Sequence, residues 1–215
     1  PRHGRITPST FIPVAEEHGL IESLGEWVLE EAVRQSAAWR TRGLAPLRLA
    51  VNVSSAQFRD ASRQRNTADR VLRRHGYPAD SLELEITERQ IMHDPESSIA
   101  TMVALSELGV AMALDDFGTG YSSLSHLRDF PLRKLKIDRS FTDQIDRDPQ
   151  GLAIVRAVCE LGRNLGMQVV AEGVEREAQV APLLAADCAL VQGSLFGAPM
   201  SAQEFERRLL RPVPA

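Results

Sequence analysis

Cysteine is nearly absent from this chain. Cys159 and Cys188 are the only two in 215 residues, and neither sits at the paired spacing of a metal ligand. This excludes a disulfide framework and a structural zinc site and points to a reducing cytoplasm. Long apolar runs are missing too: nothing approaches the roughly 18 residues needed to cross a bilayer, so no membrane contact by this segment is expected. There is no excess of positive charge either. Lys and Arg total 25 against 29 Asp and Glu, a net charge of −4, which argues against a binder of the DNA backbone. The one arginine-rich stretch, Arg59, Arg63, Arg65, Arg70, Arg73 and Arg74, reads as a solvated helix face. His3, His18, His75, His93 and His126 are scattered without ligand spacing and enter no mechanism. The chain opens Pro1-Arg2-His3 with no Met and no charged-then-apolar leader, so neither a natural N-terminus nor a signal peptide is expected there.

What is present is the balance of a soluble globular domain, 43% hydrophobic and 25% charged residues, with no low-complexity linker to divide it. Short runs rich in Val, Ile and Leu predict strands at about Leu47 to Val53, Leu82 to Thr87, Val110 to Asp115, Leu135 to Asp138, Met167 to Glu172 and Cys188 to Gln192. Helical patterns separate them. Ser23 with Glu26 reads as a capping box ahead of Leu24, Trp27, Val28, Ala32 and Trp39, and Ser201 with Glu204 repeats it. Asp148-Pro149 opens a helix with Ile154, Val155, Val158, Leu161 and Leu165 facing inward and Gly166 as terminator. Gly109 and Gly76 with Pro78 end two others. Trp27, Trp39, Phe58 and Phe141 are expected to pack between helices and sheet. Alternating strands and helices require parallel pairing, hence an α/β fold. Six units fit an open doubly wound sheet or six parts of an eight-fold barrel, and periodicity alone does not choose.

The polar residues carry the chemistry. Nearly every predicted strand ends in a carboxylate, amide or ammonium: Asn52, Glu85, Asp115 with Asp116, Lys136, Glu172 and Gln192. Such strand ends converge on one mouth of a parallel sheet. Crowded carboxylates need cations, and an all-oxygen donor set suits Mg²⁺ or Mn²⁺ rather than zinc or copper. Two such ions roughly 4 Å apart would activate water and stabilise phosphoryl oxygens, the chemistry of phosphodiester hydrolysis.

Val51-Asn52-Val53-Ser54, Glu85-Ile86-Thr87-Glu88, Asp115 to Ser123, Lys136-Ile137-Asp138, Ala171-Glu172-Gly173-Val174-Glu175 and Gln192-Gly193 resemble, in order and spacing, the successive signatures of EAL domains. The resemblance runs from about Thr7 to Met200. It implies a TIM-like (β/α)₈ barrel of the EAL type, here lacking about the first two strands, that opens cyclic di-GMP to linear pGpG with two metal ions. By position, Asn52, Glu85 and Asp115 resemble ligands of one ion and Asp116 a ligand of the second. Lys136 resembles the residue that holds the attacking water, and Glu172 the general base. Glu88 resembles an anchor for the Asp116 to Ser123 loop, and Glu175 and Gln192 complete the pocket wall. Phe117 and Phe196 are candidates to stack on a guanine.

The glutamate of the family's Glu-Ala-Leu signature is expected just before Pro1, together with two strands and a helix, so the 215 residues by themselves are expected to be inactive. Arg89 replaces a customary small residue and Ser194 a customary aromatic. The resemblance further implies a homodimer through the region after the Asp116 loop, including Leu127 and Phe130, and an upstream sensory or GGDEF-type domain. A catalytically inactive EAL domain that acts as a cyclic di-GMP receptor is the alternative. A doubly wound nucleotide-binding domain, working without divalent metal, is a third reading.

Overall fold

The computed structural model describes Gly4 and residues 6–120 and 127–209. After two helices, α1 (Pro8–Glu17) and α2 (Ile21–Thr41), six strands follow: β1 (Leu49–Asn52), β2 (Leu82–Thr87), β3 (Ala111–Phe117), β4 (Lys134–Ile137), β5 (Gln168–Ala171) and β6 (Leu190–Val191). All pair in parallel, and their spatial order is their sequence order. A doubly wound sheet reverses strand order at a switch point. Among the described residues no reversal occurs, so the winding is that of a curled portion of a TIM-like barrel.

The helices around the strands, which include the short α3 (Ser55–Phe58), α7 (Arg139–Thr142) and α9 (Val180–Ala185), start and stop where side chains satisfy their free backbone groups. Asp60 accepts from Arg63 N–H to open α4 (Ala61–His75), and Gly76, at φ +59°, closes it. Asp94 caps α6 (Pro95–Glu107). Asp148 accepts from Gln150 N–H ahead of Pro149, opening α8 (Pro149–Asn164). Ser201 and Glu204 form their reciprocal cap before α10 (Ala202–Leu209).

The other expected capping box does not form. Helix α2 starts three residues earlier, at Ile21, and Ser23 Oγ instead donates to Leu20 O. Glu26 is drawn sideways into a ladder of ion pairs with α4, in which Arg63 meets Glu22 and Glu26, Arg70 meets Glu26 and Glu30, and Arg74 and His75 meet Glu30. The arginine stretch is therefore a solvated face only in part.

The hydrophobic core lies between the outer face of the sheet and the helices. Leu82, Leu84 and Ile86 of β2, Met112 and Leu114 of β3, and Leu135 and Ile137 of β4 are fully buried there against Val71, Met102, Leu105 and Val155. Strand alternation then turns Glu83, Glu85, Asp115, Lys134 and Lys136 to the inner face. Phe58 and Phe141 pack into the core, and Trp39 packs against Phe205 with tilted rings whose centroids are 5.2 Å apart. Trp27 does not follow: it is 63% exposed, as is much of Ile154, because each lies off the buried stripe of its helix.

Leu127 and Phe130 are also differently placed from the dimer expectation. Both are buried in this chain's own core. Leu127→Ala is therefore expected to lower unfolding free energy by about 2–5 kcal/mol, measurable by urea denaturation. A variant that kept wild-type stability and changed only sedimentation would contradict that placement.

Candidate active site

The inner face of the sheet gathers the site. Lys136 Nζ, on β4, lies 2.8 Å from Glu85 Oε2, 3.2 Å from Asp115 Oδ1 and 2.6 Å from Glu172 Oε1. Its side chain is 4% exposed. Burial pulls this ammonium down, but hydrogen bonds with Glu172 and Glu85 outweigh it and hold Lys136 above its ordinary value, firmly charged.

A backbone irregularity brings the aspartates together. Successive strand residues normally point to opposite faces, which would send Asp115 and Asp116 apart. Between Leu114 and Phe117, however, β3 carries one more residue than β4 opposite it, and Asp116 takes the left-handed φ of +54°. Such a bulge re-aims a side chain. As a result Asp115, Asp116 and Glu172 bring carboxylate oxygens within 4.8 Å of one another. The same bulge turns Phe117 outward: it is buried in the core and lines a cavity with Ile154 and Val158 on the helix side of the sheet, away from the carboxylates on which a guanine would have to sit.

The acids pay electrostatically for this crowding. Burial, chiefly, with Asp115 and Glu83 adding to it, raises the Glu85 carboxyl above its ordinary value against the pull of Lys136. Glu172 is raised by burial first, then by Asp115 and Glu85, again against Lys136. Burial, then Asp115 and Asp138, raise Asp116. One ammonium thus faces four carboxylates, and the remaining negative charge together with an all-oxygen donor set fits a hard divalent cation.

The surrounding loops are held by buried polar groups. Glu88 begins α5 (Glu88–His93), is buried, and accepts from Gly118 N–H at 3.0 Å through Oε2. A Cβ at Gly120 would fall 2.7 Å from Glu88 Oε1, so the loop approaches the glutamate closely enough to require glycine. Glu88, the expected anchor, thus meets the loop at Gly118. Tyr121, Ser122 and Ser123 of the expected loop lie outside the described residues. Glu172 follows β5, with its N–H on Ile137 O and its carbonyl receiving Thr142 Oγ1. Gln179, fully buried, accepts from Glu175 N–H and Arg176 N–H and donates to Thr142 O. A Cβ at Gly193 would lie 2.0 Å from Val174 O, so glycine is required where the loop after β6 crosses the backbone of the loop after β5.

Asn52 ends β1 level with Glu85, its Cα partner in the sheet. Glu175 and Gln192 have exposed side chains and are tied through their backbones. Gln192 and Phe196, the latter 49% exposed, line a cavity of about 790 Å³ between β1 and β6, along with Trp39, Leu49 and Met200. The acid cluster does not line that cavity.

Residues 1–199 match the EAL domain family. The chain belongs to that family. Over 204 residues, 95% of the chain and 30% of the relative, this EAL domain is 45% identical to the bifunctional diguanylate cyclase/cyclic di-GMP phosphodiesterase MucR of Pseudomonas aeruginosa. It is 40% identical over 207 residues, 96% of the chain and 31% of the relative, to the cyclic di-GMP phosphodiesterase PdeR of Escherichia coli. It thus spans about a third of these curated relatives. The EAL domain is also similar to a solved PaMucR phosphodiesterase in complex with c-di-GMP, with TM-score 0.90 and 45% identity over 95% of this chain and 83% of that one. Among the described residues, no helix is long and apolar enough to cross a membrane.

Proposed function

We propose that this chain is the catalytic domain of a divalent-metal-dependent phosphodiesterase that adds water across one phosphodiester of cyclic di-GMP to give linear pGpG. The observation that carries the reading is the buried Lys136 ammonium held at once by Glu85, Asp115 and Glu172, with Asp116 turned toward the same point by the β3 bulge. The names of MucR and PdeR and the c-di-GMP complex of PaMucR support the choice of substrate.

In this reading Asn52, Glu85, Asp115 and Asp116 hold Mg²⁺ or Mn²⁺. When bound there, such cations would supply Lewis-acid stabilisation of phosphoryl charge and a more acidic water. Lys136 orients the attacking water and offsets charge on the phosphate as it builds. Glu172, whose raised carboxyl is better matched to neutral pH than an ordinary glutamate, takes the water proton. The water oxygen bonds to phosphorus, one phosphorus–ester oxygen bond breaks, and the leaving oxygen is protonated. The two free thiols fit a cytoplasmic setting.

The test is to incubate the full-length protein with cyclic di-GMP, with Mg²⁺ or Mn²⁺ and with EDTA, and to separate the products chromatographically. Linear pGpG that disappears with EDTA is expected. Tight binding with no product under any metal would make this chain a receptor instead.

A further inference from the structure

Beneath the site the inner face carries a second buried ion pair that no part of the reaction uses. Lys134 Nζ lies 2.5 Å from Glu83 Oε1, with side chains 15% and 1% exposed. Among the described residues Glu83 Oε2 is buried with no hydrogen-bond partner, so this carboxylate depends on Lys134 for compensation. The pair crosses β3 over Ala111 and Ala113, whose methyl groups leave the way open.

The register makes this arrangement informative. Lys134 is the Cα partner of Ala113, and Ala113 is the Cα partner of Glu85. Lys134 therefore starts level with Glu85, yet its ammonium goes to Glu83, two residues back along β2 and about 6–7 Å away at strand spacing. Glu85 is left to Lys136. A lysine ammonium on a flexible four-carbon stem follows the nearest available carboxylate. With Glu83 neutral, that carboxylate is Glu85.

We infer that Glu83 is a positioning residue: by sequestering the Lys134 ammonium it keeps a second cation off Glu85 and so preserves the divalent-metal affinity of the site. This rests on the metal-dependent reading above. It also assigns a purpose to the paired spacing of Glu83 with Glu85 and of Lys134 with Lys136, the lower pair serving the upper.

The experiment is calorimetric titration of Mn²⁺ into metal-stripped full-length protein for wild type, Glu83→Gln, Glu83→Asp and the double variant Glu83→Gln with Lys134→Met. Glu83→Gln should weaken Mn²⁺ binding at least about tenfold, and Glu83→Asp, which keeps the buried charge and the fold but retracts it, by a smaller factor. The double variant, having no second ammonium to misplace, should return to within about twofold of wild type. A merely structural role would not produce that rescue. Wild-type affinity in both single Glu83 variants, or a double variant as weak as Glu83→Gln, overturns the inference alone. Wild-type protein that takes up no Mn²⁺ overturns the metal-dependent reading along with it.

Discussion

Lys136→Met is expected to reduce turnover of cyclic di-GMP by on the order of 10²–10³-fold, the usual cost of removing one preorganised charge from a reacting phosphate. The same change should destabilise the metal-free protein by about 3–5 kcal/mol, because it strips the partner from buried carboxylates rather than removing a neutral contact. Glu85, Asp115 and Glu172 all lean on this one ammonium. The two effects separate in the presence of metal. Saturating Mg²⁺ supplies positive charge to the same oxygens, so urea denaturation should show recovered stability while hydrolysis stays low. A variant that hydrolyses within threefold of wild type would remove Lys136 from the chemistry and leave it as structural counter-charge.

The asymmetry between Lys136 and its lower neighbour Lys134 shows what sequence does and does not expose. Glu85, Asp115, Lys136 and Glu172 are legible because each lies toward the C-terminal end of an apolar run, where a parallel sheet gathers side chains at one mouth. Glu83 and Lys134 belong to the same alternation. They sit at the start of their strands, and a charge there gives no sign of a partner on a non-adjacent strand. The winding itself needed the order of the strands, which periodicity does not contain. Asp116 was legible as a carboxylate but not as a bulge. The left-handed φ that aims it inward and sends Phe117 into the core comes from a register mismatch with β4. Gln179 and Thr142, which hold the loop after Glu172, resemble any surface polar residue until burial is known. Ser23 and Trp27 fail for a related reason. Helical spacing identifies a stripe, but the preceding turn at Gly19 and Leu20 fixes where the helix starts, and the packing partners decide which side is buried.

Glu172→Gln removes the proton acceptor while keeping the shape of the side chain, and kcat is expected to fall by about 10²–10⁴-fold. Its stability should change in the opposite sense to that of Lys136→Met, with a pH dependence set by linkage. The Glu172 carboxyl is raised in the folded chain above its ordinary value. A raised acid binds its proton more tightly when folded. It therefore contributes stability that is fully present below the ordinary carboxylate value and is lost as pH climbs from there through the folded value. Glutamine has no such proton to lose, and Lys136 keeps Glu85 and Asp115 in this variant. In EDTA, the melting temperature of the variant relative to wild type should therefore rise as pH increases from about 4.5 and level off once Glu172 is ionised in both states. Adding Mg²⁺ above that range should favour wild type, which has the extra carboxylate to neutralise, and shrink the difference. Melting curves from acid to neutral pH with and without metal measure both trends, and a difference that stays flat with pH would mean that Glu172 folds with an ordinary carboxyl and is a poorer base than its surroundings imply.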